Sequence, residues 1–162
     1  MSPVLRFLRF LALGAWVGSI LYFVAIVTRG AFAVLTRDQA GALVGLTLSG
    51  LHELGIIAAI VFLIATIGLR KSLSALASPA ALGVVLMLLM TLASQQVVIP
   101  RMDALRREMG SVDSTPYSDP RRAEFDRLHG ISVDLEGGVL LIGLVSLFLV
   151  ARDPGRRTLS PR

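Results

Sequence analysis

Cysteine is absent from the 162-residue chain, lysine and tryptophan each occur once, and long stretches carry no charge at all. Without cysteine there are no disulfides, no thiolate metal sites and no c-type haem attachment within the chain, and the redox compartment stays open. No Ser/His/Asp pattern or GxSxG elbow stands out, so nothing points to a nucleophilic enzyme. The missing charge is the most informative absence. With 54% apolar residues and a mean hydropathy of +0.75, the chain is more apolar than a soluble domain of its length can hide, which makes one membrane-embedded domain, residues 1–162, the expectation.

What charge there is sits at the edges of apolar runs. The net charge of +5 comes with sixteen basic residues, of which only Lys71 is not arginine. Their placement fits anchoring and orientation in a lipid bilayer, and no nucleic-acid partner is expected because no basic stripe forms.

From Phe10 to Thr28 there are nineteen residues without a charge. At about 1.5 Å per residue they cover roughly 28 Å, close to a bilayer core. A cleaved signal peptide is the rival reading of this segment, but the run is longer than such an apolar region and Arg29 precedes the Ala31-Phe32-Ala33 stretch, which favours a retained helix. The second span is placed at 47–69, ending at Arg70-Lys71, with Gly41 and Gly45 ahead of it and His52 and Glu53 inside it. Ser78-Pro79 reads as a helix start, giving a third span over 79–99 that Pro100 kinks or stops.

Residues 101–128 form the extended hydrophilic region. Met102, Leu105 and Met109 recur at helical spacing, Asp103/Arg107 and Arg122/Asp126 are i,i+4 pairs, and 110–120 is a loop. The fourth span follows at 131–150, and residues 153–162 are expected to be a disordered tail. The fold class that results is all-α: a polytopic membrane protein, an antiparallel four-transmembrane-helix bundle with a helix-rich loop between spans three and four.

Eight basic residues fall on each side of such a topology. Those of the hydrophilic loop lie among acids able to pair with them locally, which tips the reading toward N- and C-termini in the cytoplasm, in a bacterial inner membrane. The pairs Gly14/Gly18 and Gly41/Gly45 are small faces suited to close helix approach and to a homo-oligomer.

Polar residues inside the spans are costly and call for partners. Glu53 is 17 residues from Arg70, Glu136 is 16 from Arg152 and Gln95 is 16 from Pro79. At about 1.5 Å per residue all three sit roughly 24–26 Å from one face, so they share a layer. His52, Gln96 and Asp134 lie beside it, with His129 and Arg101 near its rim. His129, Ser132 and Glu136 share one face of the fourth helix, and His52 and Glu53 are placed to border the same interior. Three readings compete for this layer: a structural hydrogen-bonded network, a proton- or ion-conducting site, and a metal or haem site drawing on His52, His129 and Glu136. The histidines lack HxxxH or ExxH spacing, so no cofactor is predicted, and a metal- or haem-binding subunit of a redox complex stands as the alternative.

Three stretches carry a family resemblance: FLALGAWVGSILYFVAIVTRGAFAVL, LHELGIIAAI, and IPRMDAL with FDRLHGISVDLEG. Trp16-Val17-Gly18, residues 100–105, and the Phe125/Leu128/His129/Ser132 pattern are the most specific parts. On these the chain resembles the transmembrane protein 205-like family. The resemblance implies four transmembrane helices, a membrane location and no settled activity. A polar amide often follows this histidine in that family, so Asp134 and Glu136 imply a more acidic site here.

Overall fold

Capping residues and prolines set the helix ends. In the computed structural model, which describes residues 2–152, four helices are long and apolar enough to cross a membrane: α1 (Pro3–Val34), α2 (Arg37–Arg70), α3 (Pro79–Met109) and α4 (Pro120–Arg152). The expected all-α class is therefore found, and no strand occurs among the described residues. The expected tail at 153–162 lies outside them.

Each helix has 31 to 34 residues. At about 1.5 Å per residue that is roughly 46–51 Å, well over the ~30 Å hydrocarbon core. The helices overrun their apolar stretches mainly toward the end that carries residues 35–36 and 110–119. There α2 starts at Arg37 and α4 at Pro120. A capping box starts α2: Thr36 accepts from the Gln39 amide at 3.4 Å, and Gln39 returns the bond to the Thr36 amide at 3.3 Å. Asp119 holds the start of α4. Its carboxylate takes bonds from the Arg121 guanidinium (2.6 and 3.0 Å) and the Arg121 amide (2.8 Å), which lower its pKa from 3.8 to about 2. That stabilisation is complete above the ordinary carboxylate range and is lost as pH falls through about 2.

Pro100 does not stop α3. The helix widens to a π-helical turn over Ser94–Val98 and resumes at Ile99, so the ladder is already rearranged where proline lacks a donor and would crowd the preceding turn. A second π-helical segment, Phe23–Thr28, interrupts α1; no proline explains it. Asp103 pairs with Arg106 (3.2 Å) and not with the expected Arg107, because Arg106 turns inward over Phe125.

The helices form a ring in chain order, with α1 on α2, α2 on α3, α3 on α4, and α4 closing on α1. This leaves α2 and α4 on a diagonal. The core is filled by Leu13, Trp16, Ile20, Phe62, Val84 and Met87, each at most 1% exposed. Close approach comes at glycines: Gly55 lies under the Trp16 indole, Gly83 against Ser146, and Gly143 against Val17 and Met87. Gly14 and Gly18 face open space, and Gly41 and Gly45 lie under the Arg106 guanidinium of their own chain. Arg9 is folded inward, its guanidinium 5.4 Å from the centre of the Phe62 ring.

A methyl group added at Gly55 would overlap the buried indole, whereas one at Gly50 meets nothing. Gly55→Ala should therefore destabilise the protein by about 1–3 kcal/mol, and Gly50→Ala should be neutral or stabilise by up to about 1 kcal/mol. Thermal unfolding of both variants in detergent checks this.

Candidate functional site

His52 stands at the centre of the bundle. It is 2% exposed, and both its ring nitrogens are engaged by other helices: Nδ1 contacts Gln95 Oε1 of α3 at 2.9 Å, and Nε2 contacts Glu136 Oε2 of α4 at 3.2 Å. The imidazole from α2 thereby spans the diagonal to α4. Either tautomer satisfies both contacts: with the Gln95 oxygen toward the ring Nδ1 donates, and with the amide turned over Nδ1 accepts while Nε2–H donates to Glu136. Nε2 and a carboxylate oxygen would repel as two bare lone pairs, so one proton lies between them.

The other polar residues expected in the layer do not join this cluster. Glu53 is exposed. One residue is a turn of about 100°, enough to carry it off the inward face that His52 occupies. It falls instead on the outer stripe of Leu46, Ile57, Ile60 and Ile64, all exposed. Gln96 and Asp134 turn outward for the same reason next to Gln95 and near Glu136, and Arg101 is also exposed. His129 is exposed at the cavity wall, its ring stacked on Phe125 with centroids 6.5 Å apart. The histidines are thus not brought together, and among the described residues no group of three or more His, Asp and Glu side chains is placed to hold a metal ion.

Glu136 also lines a cavity of about 620 Å³. Its walls are mostly apolar and come from all four helices, with Phe23, Leu48, Met102 and Phe125 among them. Gly41, Gly45, Gly137 and Ser132 leave the room. One π-helical segment borders it, with Phe23, Val24 and Thr28 in the wall; the other, which carries Gln95, ends at Val98, next to the lining residue Ile99. At the loop end the lining turns charged, but its arginines are engaged. Arg106 bonds Asp103 (3.2 Å) and the Gly41 carbonyl (3.4 Å), Arg122 bonds Asp126 (3.0 Å) and the Val112 carbonyl, and Arg37 faces Asp113 (3.8 Å).

Sequence reading missed the clasp at this end. Asp38 accepts from the Ser111 hydroxyl (2.5 Å) and from the amides of Val112 (3.0 Å) and Asp113 (3.3 Å), tying the 110–119 loop to the start of α2. These partners are more than 70 residues apart in sequence, and no local pattern announces them. The Thr36-x-x-Gln39 spacing is the local signal that could have marked where α2 begins. Arg106 over Gly41 and Gly45 had no signal beyond the small residues.

A family model described as a domain of unknown function (DUF4149) matches residues 11–111, more than half of the chain. The match takes in His52 and Gln95 and ends before Glu136. No curated protein and no solved structure matches the chain significantly.

If His52 and Glu136 act as a pair, their substitutions must be coupled. In a double-mutant cycle on thermal unfolding, His52→Ala with Glu136→Gln should show a coupling of about 0.5–3 kcal/mol. His52→Ala with Glu53→Gln should be additive to within about 0.5 kcal/mol.

Proposed function

For this chain, which belongs to the DUF4149 family, we propose the role of an integral membrane binding protein that holds a lipid-soluble molecule in the cavity between its four helices. The cavity carries the reading. It has the size and the mostly apolar lining, with a few convergent polar groups, that small-molecule sites have. Glu136, the member of the His52–Gln95–Glu136 cluster that lines it, offers a polar group to whatever binds there, and the cluster fastens three helices.

Ion or proton passage is less well supported by this geometry. Below the cluster, toward Arg70, Pro79 and Arg152, the bundle is packed with Trp16, Phe62, Val84 and Met87, none more than 1% exposed, and the buried hydroxyls of Thr66, Thr91 and Ser146 are set among them. A conducted ion needs polar groups or water along its whole route, and three separate hydroxyls in a packed interior do not make one. A haem or metal role has less support again, since His52 spends both nitrogens on side chains and His129 lies apart. The likeness to transmembrane protein 205-like proteins belongs to the same proposal and adds no activity to it.

Two measurements check the proposal. Gly137 lines the cavity and has nothing within 4 Å of where a side chain would grow; Gly50 is equally open but outside the lining. Native mass spectrometry of protein released from membranes should show a bound small molecule in the wild type and in Gly50→Trp. It should be lost in Gly137→Trp, and equal occupancy in all three would refute the cavity as the site. We also place the cavity end on the outer side of a bacterial inner membrane. In this cysteine-free chain, a membrane-impermeant maleimide should label Ser114→Cys in intact spheroplasts and Ser74→Cys only after permeabilisation.

A further inference from the structure

Resting on the reading of the cavity as a binding site, we propose that its ligand is a neutral, lipid-soluble phenol or hydroquinone whose ring hydroxyl donates a hydrogen bond to Glu136. The argument starts from the proton shared by His52 Nε2 and Glu136 Oε2 (3.2 Å). If the proton is on nitrogen, Glu136 is a carboxylate and its second oxygen, Oε1, accepts. If it is on Oε2, Oε1 is a carbonyl oxygen and again accepts. Among the described residues Oε1 has no hydrogen-bond partner, although Glu136 is mostly buried and lines the cavity. Glu136 therefore presents an acceptor, and a ligand that satisfies it must bring a donor.

Charge narrows the choice. A cationic amine would lose its hydration among the mostly apolar walls beside Glu136, a cost that a neutral donor avoids. An anionic head group would need a free cation, but Arg37, Arg106 and Arg122 at the loop end already hold Asp113, Asp103 and Asp126. A neutral donor remains, and a hydroxyl fits best because it also accepts. Ser132 lies one turn before Glu136 on the same face, is buried, and lines the cavity, so its own hydroxyl can donate to the ligand oxygen. Phe23, Phe125 and Met102 supply aromatic and thioether walls suited to a ring.

The test is equilibrium binding to the full chain in lipid nanodiscs under argon. The probes are tetramethylhydroquinone, its dimethyl ether and tetramethylbenzoquinone. They share a ring and methyl groups and differ in whether they carry an O–H donor. The hydroquinone should bind about tenfold more tightly than the other two, the worth of one hydrogen bond to a group that is otherwise unsatisfied. Ser132→Ala should weaken all three probes without closing that gap, and Glu136→Leu should abolish the gap while leaving ether binding in place. Should Glu136→Leu fail to fold, the wild-type comparison and Ser132→Ala still decide. Equal affinity for all three probes in the wild type overturns the proposal and leaves the apolar cavity standing as a binding site. Binding of none of them overturns both.

Discussion

One buried imidazole sets the terms for the rest of the bundle. His52 comes from α2, hydrogen-bonds Gln95 on α3 and meets Glu136 on α4 across the diagonal. Each of these groups would be costly to bury alone, and each removes the cost for another. A slip of any of the three helices by one residue would turn its polar side chain by about 100° and strand the other two. The register of α2, α3 and α4 is thus coupled to a single contact set, while α1 is held by shape, with the Trp16 indole laid on Gly55.

The cavity follows from what surrounds that contact. Toward Arg70 and Arg152 the interior is filled by large apolar side chains. Toward the 110–119 loop the helices present Gly41, Gly45, Ser132 and Gly137, whose side chains cannot meet across the middle. Arg106 covers two of these glycines and is held by Asp103 and the Gly41 carbonyl, so it roofs the space without filling it. Asp38 ties the loop down over the same end. A packed half and a hollow half thus meet at the His52 cluster, which belongs to both.

Two irregular stretches sit where the hollow half begins. The π-helical turns at Phe23–Thr28 and Ser94–Val98 widen α1 and α3, and the second carries Gln95. Such turns displace side chains from the ordinary helical positions and recur at functional sites. In α3 the turn also lets a helix with Pro100 in its course continue to Met109. Proline was therefore a poor guide to where this helix ends, because the correction for it lies in the residues before it.

The sequence alone determined the class and the helix count, since nineteen or more residues without a basic side chain have few homes other than lipid. Counting along helices of known rise also gave Glu53, Gln95 and Glu136 one expected depth. Which side chains turn inward was decided by the tertiary structure. Glu53 and Glu136 look alike when depth is counted, yet one faces outward among leucine and isoleucine and the other faces His52. The difference is one of rotation about the helix axis. That angle is set by what neighbouring helices press against, at contacts such as Gly55 with Trp16 and Gly138 with Met90 that join residues far apart in the chain. Spacing along a helix is a local property of the backbone and can be read from one strand of text; facing is a property of the assembled bundle, and only the fold supplies it.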